Sequence, residues 1–258
     1  MSRKISHLNE ENYNNFGSLM KIVKYRNSRD MDIYFPEYDW TSYNRNHEDF
    51  KRGRVICPYE PRLLNVGYMG EGDFLSKDEY GKRTKEYDLW RAMITRCYDE
   101  KHRENYKTYK DCTVCDEWLN FQNAARWFSE NYPYEFIDIK WCLDKDILIK
   151  GNKEYGPNTC CFIPEPINIL FIKSDKARGE LPIGVSKASR YKTPHYYSTI
   201  NKNGKQVHLG TYTSIEEAFI SYKEAKEKYI KELANKYAYC LSDNVLNILY
   251  NWEIDIND

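Results

Sequence analysis

The sequence lacks a charge of either sign to spare: 39 Lys and Arg balance 39 Asp and Glu over 258 residues. A whole-molecule electrostatic attraction to nucleic acid is therefore excluded, and any basic footprint has to be local. No apolar run approaches the ~18 residues that a membrane span needs, so no membrane partner is expected. Residues 1–11 are polar and lack the apolar core of a secretion signal. A cytoplasmic location is expected on that basis, with the eight cysteines as reduced thiols. Those cysteines stand at 57, 97, 112, 115, 142, 160, 161 and 240, too scattered for a small stapled scaffold. Histidine is also scarce. Its five copies are at 7, 47, 102, 195 and 208, leaving none between residues 103 and 194. Internal repeats and low-complexity tracts are absent. Tyrosine, in contrast, is abundant at 24 copies in a chain of mean hydropathy −0.82. Its ring packs while its hydroxyl stays wet, which suits thin modules and binding surfaces.

The length allows one to three domains, and composition suggests three regions: 1–72, 73–172 and 173–258. In the first, residues 20–25 and 31–35 alternate apolar and polar around a polar link at 26–30, which predicts a hairpin. A further short strand is expected at 53–57. Together these make a small β module without recognisable chemistry. The glycine-rich link at 67–72 invites comparison with a phosphate loop. No strand-glycines-helix arrangement surrounds it and no Gly-Lys-Ser/Thr follows, so it reads as a connector.

Helical spacing marks the second region. Leu89, Trp90, Met93, Ile94 and Cys97 share one face, and Trp118, Phe121, Ala125 and Phe128 share another. A β-like run follows at 136–143. The third region predicts three strands, at 183–189, 195–201 and 205–211, with Asn203-Gly204 as a hairpin signal at the second turn. A helix follows, opened by a Ser214/Glu217 capping box and striped by Ile215, Ala218, Phe219, Tyr222, Ala225 and Tyr229. That stripe must bury against one face of the sheet. Ile200 assigns the even-numbered side of the second strand to the core. Tyr197 and Thr199 then look outward, beside Lys187, Arg190 and Lys192.

Charge in this region is lopsided. Eight Lys and Arg between residues 173 and 210 face only Asp175 and Glu180, a local excess of six. The acids return on the helix, at 216, 217, 224, 227 and 232. A basic sheet backed by a mixed helix is the polarity expected of a phosphate-facing sheet, and a solvated basic face is the plainer alternative. Residues 182–234 resemble the AP2 DNA-binding domain. The resemblance rests on Gly184-Val185, Tyr196 to Ile200, His208-Leu209-Gly210-Thr211-Tyr212, and Glu216-Glu217-Ala218-Phe219 with Tyr222. It implies a three-stranded sheet presented to the major groove, with Lys187, Arg190, Lys192, Tyr197, Thr199, Lys202 and Lys205 as candidate DNA contacts.

Residues 87–168 resemble the HNH-type proteins common in phage genomes. The matching residues are Leu89-Trp90-Arg91-Ala92-Met93, Arg96-Cys97-Tyr98, Tyr109, Cys115-Asp116-Glu117-Trp118 with Phe121, Leu143-Asp144-Lys145-Asp146, and Asn158 with Asn168. The resemblance implies a ββα-metal core behind an aromatic helix pair. Such an enzyme uses a metal and a histidine general base, which usually follows an Asp near the start of the core. Here that place reads Asp144-Lys145, and a lysine charged at neutral pH is a poor base. The candidate catalytic pair is thus Lys145 with Asp144. Asp144, Asp146 and Asn158 are the candidate Mg²⁺ ligands through hard oxygens. Zinc is the weaker reading, with Cys112, Cys115, Cys142 and Cys160 (or Cys161) its only candidate set.

The expected architecture is α+β: a small N-terminal β module, an HNH-like ββα middle with flanking helices, and an AP2-like three-stranded sheet plus helix. The expected function is sequence-preferring binding of duplex DNA by a phage-type protein with a degenerate HNH-like domain, acting in the host-cell cytoplasm. Two alternatives stay open: a metal-dependent homing-type endonuclease, and a phage protein that binds and inhibits a host defence protein.

Overall fold

The computed structural model describes residues 6–171, 181–190 and 193–257. The chain forms two compact units, one of residues 1–130 with 154–156, the other of residues 131–153 with 157–258. The fold is α+β. Among the described residues no helix is long and apolar enough to cross a membrane.

The first unit opens on an antiparallel meander, β1 (Glu11–Tyr13), β2 (Leu19–Asn27), β3 (Asp30–Phe35) and β4 (Trp40–Arg45), paired in that order. The β2–β3 pair is the hairpin that the alternation predicted. Met20, Ile22, Met31, Ile33 and Phe35 are buried together with Phe50, Val55 and Cys57. Arg26 ties the hairpin end, its guanidinium donating to both Asp30 and Asp32. The strand expected at 53–57 does not form. Phe50 belongs to a short helix, α1 (His47–Lys51), and the chain behind it is irregular, tucking Val55 and Cys57 into the core without a ladder.

The aromatic helices follow as α2 (Lys85–Tyr98), α3 (Glu100–Asn105), α4 (Asp116–Leu119) and α5 (Phe121–Asn131). Thr84 caps α2, its hydroxyl accepting from the Tyr87 amide at 3.3 Å. The indole N–H of Trp90 donates to the Trp118 carbonyl at 2.8 Å, so α2 is fixed to α4 by a buried hydrogen bond as well as by packing. β5 (Thr113–Val114) pairs in parallel with β7 (Glu154–Tyr155), which brings residues 154–156 back to this unit.

In the second unit β6 (Trp141–Asp144) and β8 (Cys161–Pro164) form an antiparallel pair followed by α6 (Glu165–Leu170). Within the β-like run of 136–143, only residues from Trp141 onward are extended. The C-terminal sheet has the order β11-β10-β9, from β9 (Val185–Lys187), β10 (Tyr196–Lys202) and β11 (Lys205–Tyr212). Asn203 and Gly204 both take positive φ, 52° and 75°, as a tight hairpin turn of this kind requires. α7 (Ile215–Lys236) covers one face of the sheet, and α8 (Asp243–Tyr250) packs against α7. The Ser214 hydroxyl accepts from the Glu217 amide at 3.1 Å, so the expected cap is in place.

Ile147, Ile163, Ile167 and Leu170 share one core with Val185, Ile200, Phe219, Tyr222, Leu233 and Leu249. The strand pair with α6 is too small to bury its own apolar side chains, and α7 supplies the missing partner surface.

Candidate functional site

α7 leaves one face of the C-terminal sheet uncovered, and strand register decides what lies there. Ser198 and Ile200 are buried toward the helix, at 0% and 2% exposure. Tyr197 therefore looks the other way, opposite Ser186 on β9 and Thr211 on β11. Thr199 pairs with His208, and Asn201 with Gln206. The register skips Leu209, so β11 carries one extra residue. That bulge keeps His208 and Thr211 on one side: the His208 ring meets the edge of Tyr197 at 5.3 Å, and its Nε2 lies 3.4 Å from the Thr211 hydroxyl. Gln206 donates to the Thr199 hydroxyl at 3.3 Å. The guanidinium of Arg190 lies 5.4 Å from the Tyr197 ring centroid. The outer face is thus a polar aromatic surface of Tyr197, Thr199, Asn201, Gln206 and His208, with Arg190 at its edge.

The lysines fall differently from expectation. Lys187 shares its strand face with buried Val185 and sits opposite Tyr196, on the helix side of the register. Lys202 is also on that side. Its ammonium lies 3.4 Å from Glu232 of α7 and 4.7 Å from the Tyr229 ring. Lys205 pairs with Lys202 across the turn and shares its side. Lys202 follows the outward Asn201 in β10, and successive side chains of a strand alternate between its faces. Lys192, with Lys173, Lys176 and Arg178, lies outside the described residues. His208, quoted in the motif but not among the expected contacts, joins the face because it lies two residues beyond Gln206 and opposite Thr199; the bulge acts after it and turns Thr211 to the same side.

Comparison with family models, with curated proteins and with solved structures finds no match for this chain.

The middle-region carboxylates are already engaged. Asp144 ends β6 with 8% exposure, and its Oδ1 accepts from the amides of Asp146 and Ile147, both at 2.8 Å. Burial pushes its carboxyl up from the ordinary range, against the pull of those two N–H groups. Lys145 is buried at 4% exposure, and its ammonium donates to both oxygens of Asp146 at 2.8 Å and to the Asn152 carbonyl at 3.1 Å. Asn158 is exposed on the turn before β8. These residues do not fit a Mg²⁺ ion. The charge of Asp146 is met by an ammonium, and Asp144 is buried with one oxygen committed to two backbone amides, whereas Mg²⁺ needs free ionised oxygens.

Of the zinc candidates, Cys112 and Cys115 belong to the first unit and Cys142 and Cys160 to the second. No disulfide joins any of the four, and burial raises the Cys115 thiol.

Proposed function

We propose that the chain is a sequence-preferring duplex DNA-binding protein that grips DNA with the uncovered face of the β9–β11 sheet. The observation that carries this reading is that face itself. Tyrosine, threonine, asparagine, glutamine and histidine side chains are gathered on the two-stranded β10–β11 hairpin with an arginine beside them, and a two-stranded ribbon is an element that a major groove admits. Such groups donate to and accept from base edges. Arg190, at the edge of that face, is the cation placed to meet a phosphate. The resemblance of residues 182–234 to AP2 domains points the same way. In this reading the HNH-like middle is a degenerate nuclease core that serves as a platform, because Lys145 and Asp146 satisfy each other.

Fluorescence anisotropy of the full chain on a library of labelled duplexes tests this. We expect saturable binding that weakens with salt, each phosphate neutralised contributing a slope of about −0.9 in log K against log salt. No binding at about 50 mM salt, where screening is weak, would remove the proposal.

A further inference from the structure

The meander of the first unit gathers two histidines around one carboxylate. We propose that His7, Glu10 and His47 form a binding site for a first-row divalent transition-metal ion of the zinc class. Oε2 of Glu10 lies 2.8 Å from Nδ1 of His7 and 3.0 Å from Nε2 of His47, and the three ligand atoms are all within 4.8 Å of one another. A tetrahedral ion held at about 2.0–2.1 Å spaces its ligands about 3.3 Å apart, so two edges of the triangle need to open by about half an ångström. Among the described residues this is the one group of three such side chains so placed.

The backbone holds the His7–Glu10 segment and His47 by separate hydrogen bonds. The Glu10 carbonyl accepts from the Ile22 amide at 3.0 Å, and the Glu10 amide donates to the His7 carbonyl at 3.1 Å, fixing the segment along β2. The His47 amide donates to the Ser28 carbonyl at 2.8 Å, and Asn46 caps the turn that begins there. The imidazoles stack at 3.9 Å between ring centroids, with Tyr25 against the edge of His7 and Phe50 beside His47. Aromatic walls therefore limit the rotamers of both rings, and a site built in this way needs little reorganisation to take an ion. The side chains keep 26%, 32% and 12% exposure for His7, Glu10 and His47, and His47 lines an open basin with Ser28, Arg29 and Asn46. A water thus has access to a fourth coordination position.

Two imidazole nitrogens and one carboxylate oxygen suit zinc, cobalt, nickel or iron rather than magnesium or calcium, which take oxygen ligands. The same geometry is open to two neutral imidazoles that each donate to Glu10, and that metal-free triad takes up nothing. Titration of the full, chelator-stripped chain with Co²⁺ separates the two. We expect one equivalent bound, weak visible bands without intense near-ultraviolet thiolate absorption, and affinity at least about 100-fold lower in Glu10→Gln and in His7→Ala. Zn²⁺ should raise the Tm of the parent chain and not of the variants. Far-UV circular dichroism checks folding. If Glu10→Gln unfolds, His7→Ala decides, because its ring lies at the surface. Absence of saturable uptake, uptake with a thiolate signature, or unchanged uptake in the variants overturns the proposal.

Discussion

Gly184 and Lys226 show how single residues set the C-terminal core. Gly184 has φ +79°, and a Cβ there would stand 2.0 Å from Cδ2 of the buried Tyr222 ring. Neither the left-handed backbone nor a rigid ring yields cheaply, so Gly184→Ala should cost at least about 2 kcal/mol in denaturant unfolding. Parent-like stability would mean that β9 does not approach α7 as described. Lys226, on α7, is 8% exposed and donates to the Leu170 carbonyl at 2.7 Å. Burial lowers its ammonium from the ordinary 10.5 to about 8. The folded state therefore binds fewer protons than the unfolded state between those values, and stability rises with pH across that window. Below pH 8 the full penalty applies, on the order of 3 kcal/mol before the Leu170 bond offsets part of it. Lys226→Met should be more stable than the parent at pH 7, and the rise between pH 8 and 10.5 should flatten. A parent chain whose stability is level across that range would sink the argument.

At the scale of elements, the two sides of the C-terminal sheet make separable predictions. Arg190→Ala and Tyr197→Ala should each weaken DNA binding about tenfold, the effect of losing one good base-edge or stacking contact, and leave the melting temperature in place. Lys202→Ala should change affinity little, since its ammonium is directed to Glu232. Phe219→Ala, at 6% exposure between helix and sheet, should cost roughly 3–5 kcal/mol of stability. If binding follows Lys202 rather than Tyr197, DNA contacts the other side. Much of this module could be read in the sequence: three strands, the Asn203-Gly204 turn, the Ser214 cap and the core side of β10 all follow from local pattern. What escaped was non-local or irregular. The Leu209 bulge reverses the register for Thr211, and the strand expected at 53–57 is a buried irregular segment. α8 was not expected at all, although Val245 and Leu249 are four apart and both buried. The His7–Glu10–His47 group joins positions 37 residues apart at its widest hydrogen bond, a closeness that only the meander reveals.

For the whole molecule the open question is whether the strand pair β6–β8, followed by α6, cuts DNA. We expect weak or absent cleavage in Mg²⁺ or Mn²⁺. A hydrolytic site of this type needs a neutral imidazole next to water, and general-base assistance is worth about 10²- to 10⁴-fold. Residues 103–194 offer no imidazole. Lys145 occupies the matching place, and three oxygens from Asp146 and Asn152 stabilise its ammonium, which makes it an ion-pair partner rather than a proton acceptor. Asp144 faces inward, with one oxygen holding two backbone amides that shape the turn after β6. Because Ile147 of that turn belongs to the core shared with α7, the pair reads as a structural clamp between the strand pair and the C-terminal sheet and helix. Lys145→Ala should then lower stability by about 1–2 kcal/mol, through the lost bond to the Asn152 carbonyl and lost packing, because the 45% exposed Asp146 carboxylate is taken up by water. Supercoiled plasmid incubated with the full chain and metal gives the decisive reading. Nicked circles that vanish in Lys145→Ala or Asp144→Ala, with both variants still folded, would make the clamp a catalytic site and the protein an endonuclease.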